Sequence, residues 1–138
     1  MDSGATVTAM AHDLNALSLA VTAFLAERHL ATLTTLRADG SPHVVAVGFS
    51  YDSDARLVRV ITFAGSVKVA NARRGGRAAV CQIDGRRWLT LEGVSNVTDD
   101  PARVAAAVAG YATRYRQPGA RADRVAIEIA VDKIIGNA

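Results

Sequence analysis

The sequence contains few of the residue types on which several chemistries depend. Of its 138 residues only Cys81 is a cysteine, and aromatic side chains make up 5%. A single cysteine excludes an internal disulfide and is typical of a protein kept in the reducing cytoplasm. Because Cys81 lies inside an apolar run, we interpret it as a small core residue rather than a nucleophile. Three well-separated histidines and one cysteine provide no metal-ligand spacing, so we expect no metal site.

Long hydrophobic runs and basic blocks are also missing. No run approaches the roughly 20 apolar residues of a membrane-spanning helix. The first residues lack the basic and apolar regions of a secretion signal, so we expect a cytoplasmic protein without a membrane partner. The net charge is +3 and the isoelectric point is about 9.5. A nucleic-acid partner is not expected, because scarce aromatics and scattered arginines provide no base-stacking surface.

Motifs that are typical of catalysis by the protein's own side chains are absent as well. There is no GxSxG nucleophile elbow and no GxxxxGK[ST] phosphate loop. The aspartates fall at predicted turns and helix caps, where they are structurally expected, so a pair of hydrolytic carboxylates is not indicated. We identify no catalytic side chain. A bound cofactor that supplies the chemistry fits this composition.

Hydrophobic periodicity predicts one domain over residues 11–138, preceded by a flexible tail at 1–10. Helices are predicted over 12–28, 66–74 and 100–115. Strands are predicted over 30–36, 44–51, 57–63, 78–83, 87–97 and 125–131. The strand at 44–51 is apolar almost throughout, which indicates burial on both faces. Asp-Gly pairs at 39–40 and 84–85 indicate tight hairpins. The order α-β-β-β-α-β-β-α-β favours a mostly β fold, an antiparallel barrel with flanking helices.

The segment at 61–77, ITFAGSVKVANARRGGR, is the most informative part of the chain. Ser66 is placed as the N-cap of a short helix, with Lys68 in its first turn and Asn71 one turn further. Unpaired backbone N–H groups and the helix dipole favour an anion at such an end. Arg74 and Arg77 follow. The segment is therefore either a phosphate site or a capped surface helix with a solvated basic end.

Three further positions have alternative interpretations. His43, after Ser41 and Pro42, is either a hydrogen-bonded structural residue or part of a binding site. Trp88, the single tryptophan, lies beside arginines and is either a core residue or a wall that stacks on a flat ligand. Tyr111 and Tyr115 are interpreted as packing residues of the last helix.

Three segments together resemble a known family. They are LTTLRADGSPHVVAVGF (33–49), VITFAGSVKVANARRGGRA (60–78) and DGRRWLTLEG (84–93). Similar segments, in this order, occur in the split β-barrel flavin and deazaflavin oxidoreductases, which share a fold with pyridoxamine-phosphate oxidases. Within that superfamily the pattern is most similar to the actinobacterial F420-dependent biliverdin reductases. The resemblance extends over roughly residues 20–135.

The resemblance implies a homodimer that binds coenzyme F420 at its interface and reduces a conjugated acceptor, with biliverdin the first choice. By position, Ser66, Lys68 and Asn71 correspond to the family's phosphate-binding segment. The implied deazaflavin contacts are Thr34, Thr35, His43, Val45 and Val47, and Trp88 of the paired protomer would close the pocket. Charge suggests Arg74 and Arg77 for the acidic tail. The propionates of the acceptor would meet Arg37, Arg86 or Arg87, with Trp88 on the substrate side.

Two rival functions remain open at this point. One is an FMN-dependent oxidoreductase of the pyridoxamine-phosphate-oxidase type, since FMN and F420 both present a tricyclic ring and a phosphate. The other is a non-catalytic F420-binding or carrier protein, since no acid-base residue is identified.

Overall fold

The computed structural model describes residues 11–138 and shows a seven-stranded sheet with flanking helices. The tail predicted at residues 1–10 lies outside the described residues. The helices are α1 (Leu19–Ala26), α2 (Val67–Arg73) and α3 (Pro101–Arg114). The strands are β1 (Ala31–Leu36), β2 (Pro42–Val47), β3 (Ser50–Asp52), β4 (Leu57–Phe63), β5 (Arg77–Asp84), β6 (Arg87–Thr98) and β7 (Arg124–Asn137). None of these helices is long and apolar enough to cross a bilayer.

The sheet is antiparallel and curls into a split barrel. Its strand order is β2-β1-β5-β6-β7-β4-β3, and every neighbouring pair is antiparallel. β2 and β3 lie at opposite edges of the sheet, although only Gly48 and Phe49 separate them in the chain. Because three residue steps span at most about 11 Å, the two edges must lie close together. The predicted antiparallel barrel is therefore confirmed.

Large apolar side chains fill the barrel. Each such side chain contributes roughly 1.5–3 kcal/mol when it is removed from water. α1 packs its Phe24 into this core, and β4 contributes alternate residues. The largest fully buried apolar side chains are Phe24, Phe49, Leu33, Leu89, Leu91, Ile127, Ile129, Ile134, Val21, Val58 and Val60.

The buried side chain of Arg114, on α3, forms hydrogen bonds to three other parts of the chain. Its Nε donates to the Glu27 carbonyl at 2.7 Å, and its Nη1 donates to the Phe49 carbonyl at 2.9 Å. Its Nη2 donates to Gln82 Oε1 at 2.6 Å. Among the described residues it has no carboxylate partner, and burial lowers the pKa of its guanidinium. Through these three neutral acceptors, Arg114 connects α3 to the end of α1, to the link between β2 and β3, and to β5.

The first helix begins later than its periodicity predicts. The prediction of a helix over 12–28 is wrong, because α1 starts at Leu19. Ser18 Oγ accepts the Val21 N–H at 3.1 Å and caps the helix there. Upstream, the Asp13 carboxylate accepts the Asn15 N–H at 2.9 Å, which forms a turn. These local side-chain bonds outweigh the apolar spacing.

The prediction of one strand over 44–51 is also wrong in two respects. The strand is broken at Gly48 and Phe49 into β2 and β3, and it is not buried on both faces. Val44 is 56% exposed, while Val47 on the opposite face is buried. Cys81 is half-buried rather than a core residue.

β2, β1, β5 and β6 share an outer face, which points away from the barrel interior. Cross-strand pairs place Val44 beside Thr34, Thr34 beside Ala79, and Ala79 beside Glu92 on this face. Such pairs lie on the same side of a sheet. The outer face consists of Val44, Ala46, Thr32, Thr34, Leu36, Ala79, Cys81, Ile83, Trp88, Thr90, Glu92 and Val94.

Candidate functional site

A cavity of about 340 Å³ opens at the split of the barrel. It lies where the end of β2 meets the second half of β4, and α3 and the segment before β7 close its other sides. Concave sites of this size class hold small molecules. The lining residues are Ala46, Val47, Gly48, Val60, Ile61, Thr62, Phe63, Lys68, Tyr111, Pro118, Arg121 and Arg124. We call this space the split cavity.

Two strand edges face the split cavity without a strand partner. β2 pairs only with β1 among the described strands, so its other edge is open. β3 covers β4 only as far as Arg59, which leaves residues 60–63 unpaired on that side. Unpaired backbone N–H and C=O groups are strong hydrogen-bonding groups that need a partner. The walls therefore offer an apolar slot with backbone donors and acceptors along it.

One end of the cavity is cationic. Arg124 pairs with Phe63 where β4 ends, and the Arg121 guanidinium lies 4.3 Å from the centre of the Phe63 ring. Lys68 Nζ lies 5.9 Å from the same ring. No carboxylate lines the cavity in the described part of the chain. Asp123 forms an ion pair with Arg121, so Lys68 and Arg124 are the lining cations without an ion pair among the described residues, and they favour an anion at this end.

The opposite end is aromatic and tightly packed. A Cβ placed on Gly48 would lie 3.0 Å from Tyr111 and 3.1 Å from Tyr115, so a side chain here would force the two rings to move outward. The Tyr115 hydroxyl donates to the His29 carbonyl at 2.6 Å, which confirms its packing role. Tyr111 also lines the cavity. Val60 lies at this end and Phe63 at the cationic end, and the three-residue step between them along β4 separates the two ends by about 10 Å.

The cap of α2 forms as predicted beside the cationic end. Ser66 Oγ accepts the Val69 N–H at 3.3 Å and the Thr62 hydroxyl at 3.3 Å. Its oxygen thereby accepts two hydrogen bonds, and the backbone N–H groups of Val67 and Lys68 remain at the helix start. Lys68 is half-buried, which lowers the pKa of its ammonium group by desolvation. Among the described residues it has no carboxylate within ion-pair distance. An anion bound beside Lys68 would compensate the desolvation of its ammonium group.

A second cavity, of about 230 Å³, lies on the far side of α2. Asn71 Nδ2 donates to Thr35 Oγ1 at 3.1 Å, and Arg74 Nη2 donates to Asn71 Oδ1 at 2.6 Å. Arg74 also donates to the Leu36 carbonyl at 2.9 Å. These bonds tie α2 to β1. Five of the residues predicted for cofactor or substrate line this second cavity rather than the split cavity: Thr35, Arg37, Asn71, Arg74 and Arg77.

Arg77 and Arg37 each have a partner within the chain. Arg77 Nη1 and Nη2 donate to the Asp132 carboxylate at 2.5 and 2.8 Å. Arg37 Nη1 donates to the Pro42 carbonyl at 2.5 Å. The geometry therefore does not leave either guanidinium wholly free for a ligand.

The remaining residues predicted to border the ring are divided between the two faces of the sheet. His43 and Val45 lie on the inner face opposite Thr35 and Leu33, whereas Thr34 lies on the outer face. His43 Nδ1 is buried and has no hydrogen-bond partner among the described residues. Of the five, only Val47 lines the split cavity.

Trp88 and its neighbouring arginines do not line the split cavity. Trp88 pairs with Ile83, and three strand spacings, about 14 Å, separate the neighbouring Leu89 from Val47 in the β2 wall of the cavity. Arg87 donates to both oxygens of Glu27 at 2.8 Å. That bond, followed by the His29 hydrogen bond, lowers the Glu27 pKa to about 2. Arg86 is exposed. Within one chain these residues do not reach the split cavity.

The geometry agrees with what comparison with known proteins shows. The sequence profile described as pyridoxamine 5'-phosphate oxidase matches residues 17–137. The chain belongs to this family. Over 130 residues it is 51% identical to the F420H(2)-dependent biliverdin reductase of Mycobacterium tuberculosis (strain CDC 1551 / Oshkosh), covering 94% of this chain and 95% of that protein.

Solved structures share the fold of this chain. A conserved hypothetical protein from Mycobacterium tuberculosis superposes with a TM-score of 0.73 at 23% identity, over 88% of this chain and 84% of that one. A structure described as an F420 reductase gives a TM-score of 0.66 at 26% identity, over 81% of this chain and 93% of the other. The predicted split β-barrel is thereby confirmed.

Most residues that line the cavity are not predicted from the sequence. The sequence predicts Ile61, Thr62 and Phe63 only as a strand, although this strand leads directly into the Ser66 cap. Their position next to that cap is a signal in the sequence that they lie near the site. Arg121 and Arg124 were not identified, because nothing local links the start of β7 to α2. The pairing of Phe63 with Arg124 makes that link.

Proposed function

We propose that this protein is an F420H2-dependent reductase that acts on biliverdin. The observation that supports it most strongly is the 51% identity, over nearly the whole chain, to a protein named for that activity. The split cavity gives independent support, because its cationic end and its apolar slot suit a ring that carries a phosphate. The protein is accordingly an oxidoreductase, and coenzyme F420 is its cofactor.

The donor set of the cavity fits this cofactor. Lys68, beside the first N–H groups of α2, would hold the phosphate after Ser66 has fixed the cap. Val47 and Ile61 would border the ring, and the open edges of β2 and β4 would bond its polar atoms. Thr35 and Asn71 act here as positioning residues, since their mutual hydrogen bond holds α2 against β1.

The chemistry belongs to the cofactor, and the chain provides binding and orientation. Reduced F420, when bound, supplies a hydride to the conjugated acceptor. The apolar walls limit access of water, and the cationic end fixes which way the ring points into the slot. Neither a carboxylic acid nor a histidine lines the cavity in the described residues. We therefore assign the proton that accompanies reduction to solvent.

Three arginines were predicted to bind the two propionates of biliverdin. Arg87 is held by Glu27 and Asp84, and Arg37 lines the second cavity. Arg86 is exposed next to Trp88 and has no ion pair among the described residues, so we favour it as the propionate contact.

A homodimer built on the outer face would complete the site. That face carries exposed apolar side chains, with Val44 56%, Ile83 63% and Val94 46% exposed. Exposed apolar side chains gathered on one face of a sheet are typical of a protein interface. Trp88 lies on the same face, and it does not line the split cavity of its own chain. A second chain packed there is the arrangement in which Trp88 reaches a cofactor, as the family resemblance implies.

Equilibrium binding tests the cofactor assignment. We expect titration with F420, followed by quenching of its fluorescence, to saturate at one cofactor per chain. FMN should bind at least tenfold more weakly. Tight FMN binding with no F420 binding would replace this proposal with the FMN-dependent oxidoreductase, whereas F420 binding without any reduction of an acceptor would leave a carrier protein.

A further inference from the structure

One side of the split cavity is formed by a segment without secondary structure. It spans residues 116–122, between α3 and β7, and we call it the strap. Pro118 and Arg121 of the strap line the cavity. Every residue of the strap except Pro118 is exposed. The cavity therefore has walls built on the sheet and the helices on most sides, and a solvent-exposed connection on one side.

The residues on either side of the strap are fixed to the rest of the fold. Before it, the Tyr115 hydroxyl donates to the His29 carbonyl at 2.6 Å, and the Tyr115 N–H donates to the Tyr111 carbonyl at 2.8 Å. After it, the Asp123 carbonyl accepts the Ala64 N–H, just beyond β4, at 3.0 Å. Any movement of the strap is therefore confined to the seven residues between these two anchors.

Few contacts hold the strap in place between its anchors. Among the described residues, its backbone accepts hydrogen bonds only from Arg124, whose N–H donates to the Arg121 carbonyl at 3.4 Å and whose Nη2 donates to the Gly119 carbonyl at 2.7 Å. The Arg121 guanidinium, oriented by its ion pair with Asp123, lies 4.3 Å from the centre of the Phe63 ring. An exposed segment with so few bonds opens at a low cost in free energy.

We propose that the strap is a lid of the split cavity and that Arg121, stacked on Phe63, is its latch. Opening of the strap admits a flat ligand beside Phe63, whose side chain is 36% exposed. Closing returns Pro118 and Arg121 to the cavity wall and excludes water from the bound ring. The identity of that ligand as F420 rests on the proposed function, whereas the latch is a contact within this chain.

The latch is tested first without any cofactor. Relaxation-dispersion NMR of the strap amides measures the population of the open state. Loss of one cation–π contact at an exposed site, in Arg121→Gln or in Phe63→Leu, should raise that population by about two- to fivefold. The double variant should show no further rise, because both changes remove the same contact. Arg116→Gln, an exposed strap position that does not line the cavity, should match the wild type. Equal populations in all the proteins, or no exchange in any of them, would overturn the inference.

Binding kinetics then connect the lid to the cofactor. In stopped-flow fluorescence with F420, Arg121→Gln should raise the association and dissociation rate constants together, each by about two- to fivefold, because both steps need an open strap. A rise in the dissociation rate constant alone would make Arg121 a direct ligand contact, and a fall in the association rate constant would make it an electrostatic guide; either result overturns the lid. A wild-type protein that binds no F420, with the strap still opening more often in Arg121→Gln, would contradict the proposed function and support the latch.

Discussion

Lys68 is a half-buried ammonium group that faces the split cavity without a carboxylate partner among the described residues. We expect Lys68→Ala to weaken F420 binding by about 1.5–3 kcal/mol, the range for a hydrogen bond to a charged group. The free energy of unfolding should hardly change, since alanine is favourable in a helix. Fluorescence titration and urea unfolding measure the two quantities. Lys68→Arg is the matched control and should retain most of the affinity. Unchanged affinity in Lys68→Ala would contradict the assignment of Lys68 to the phosphate.

Arg114 acts on stability rather than on binding. Arg114→Ala leaves the Glu27 carbonyl, the Phe49 carbonyl and Gln82 Oε1 without their donor. Since each unsatisfied buried acceptor costs about 1–3 kcal/mol, the free energy of unfolding should fall by about 3 kcal/mol or more. Urea unfolding measures the loss. Arg116→Ala, an exposed position two residues away, should stay within about 0.5 kcal/mol. Similar losses in the two variants would contradict the role assigned to Arg114.

At the scale of single elements, the sequence predicts best where the signals are local. The start of α2 follows from Ser66, and that of α3 from Asp100, whose carboxylate accepts the Arg103 N–H at 3.0 Å. The predicted hairpins form with Gly40 and Gly85 at positive φ. The break after β2 is not predicted, because the close neighbours of Gly48 are two tyrosines that lie more than 60 residues away in the chain.

α1 and the β5–β6 hairpin are joined by a titratable link. Hydrogen bonds from Arg87 and His29 lower the Glu27 pKa from its ordinary 4.5 to about 2. Ionised Glu27 therefore stabilises the fold above pH 4.5, and this contribution is lost as the pH falls from 4.5 to about 2. We expect the unfolding free energy of Glu27→Gln to fall less steeply than that of the wild type over this window. Parallel curves in urea unfolding would show that the link contributes nothing.

At the scale of the whole molecule, the split cavity is an assembly of distant segments. β2, β4, α2, α3 and the start of β7 each contribute to it. No local pattern reports such a convergence, which explains why Lys68 was predicted and Arg124 was not. For the same reason Trp88, predicted beside the ring, does not line the split cavity of its own chain.

The proposed dimer makes a separate prediction. Ala79 lies at the centre of the outer face, between Thr34 and Glu92. Ala79→Arg should give a folded monomer that has lost most reductase activity, because a bulky charge at the interface prevents close packing. Light scattering should give a mass near 14.5 kDa for the variant and twice that for the wild type. Ala105→Arg, on the exposed side of α3, should stay dimeric; a fully active Ala79→Arg monomer would contradict an interface-built site.

The central claim is hydride transfer from reduced F420 to biliverdin. The most direct measurement mixes the protein with F420H2 and biliverdin without oxygen and follows both absorption spectra. The account predicts that oxidised F420 and bilirubin form in equal amounts, and that FMN with NADPH replaces F420H2 poorly. If F420H2 stays reduced with biliverdin and with other conjugated acceptors such as quinones, the assignment as a reductase is contradicted.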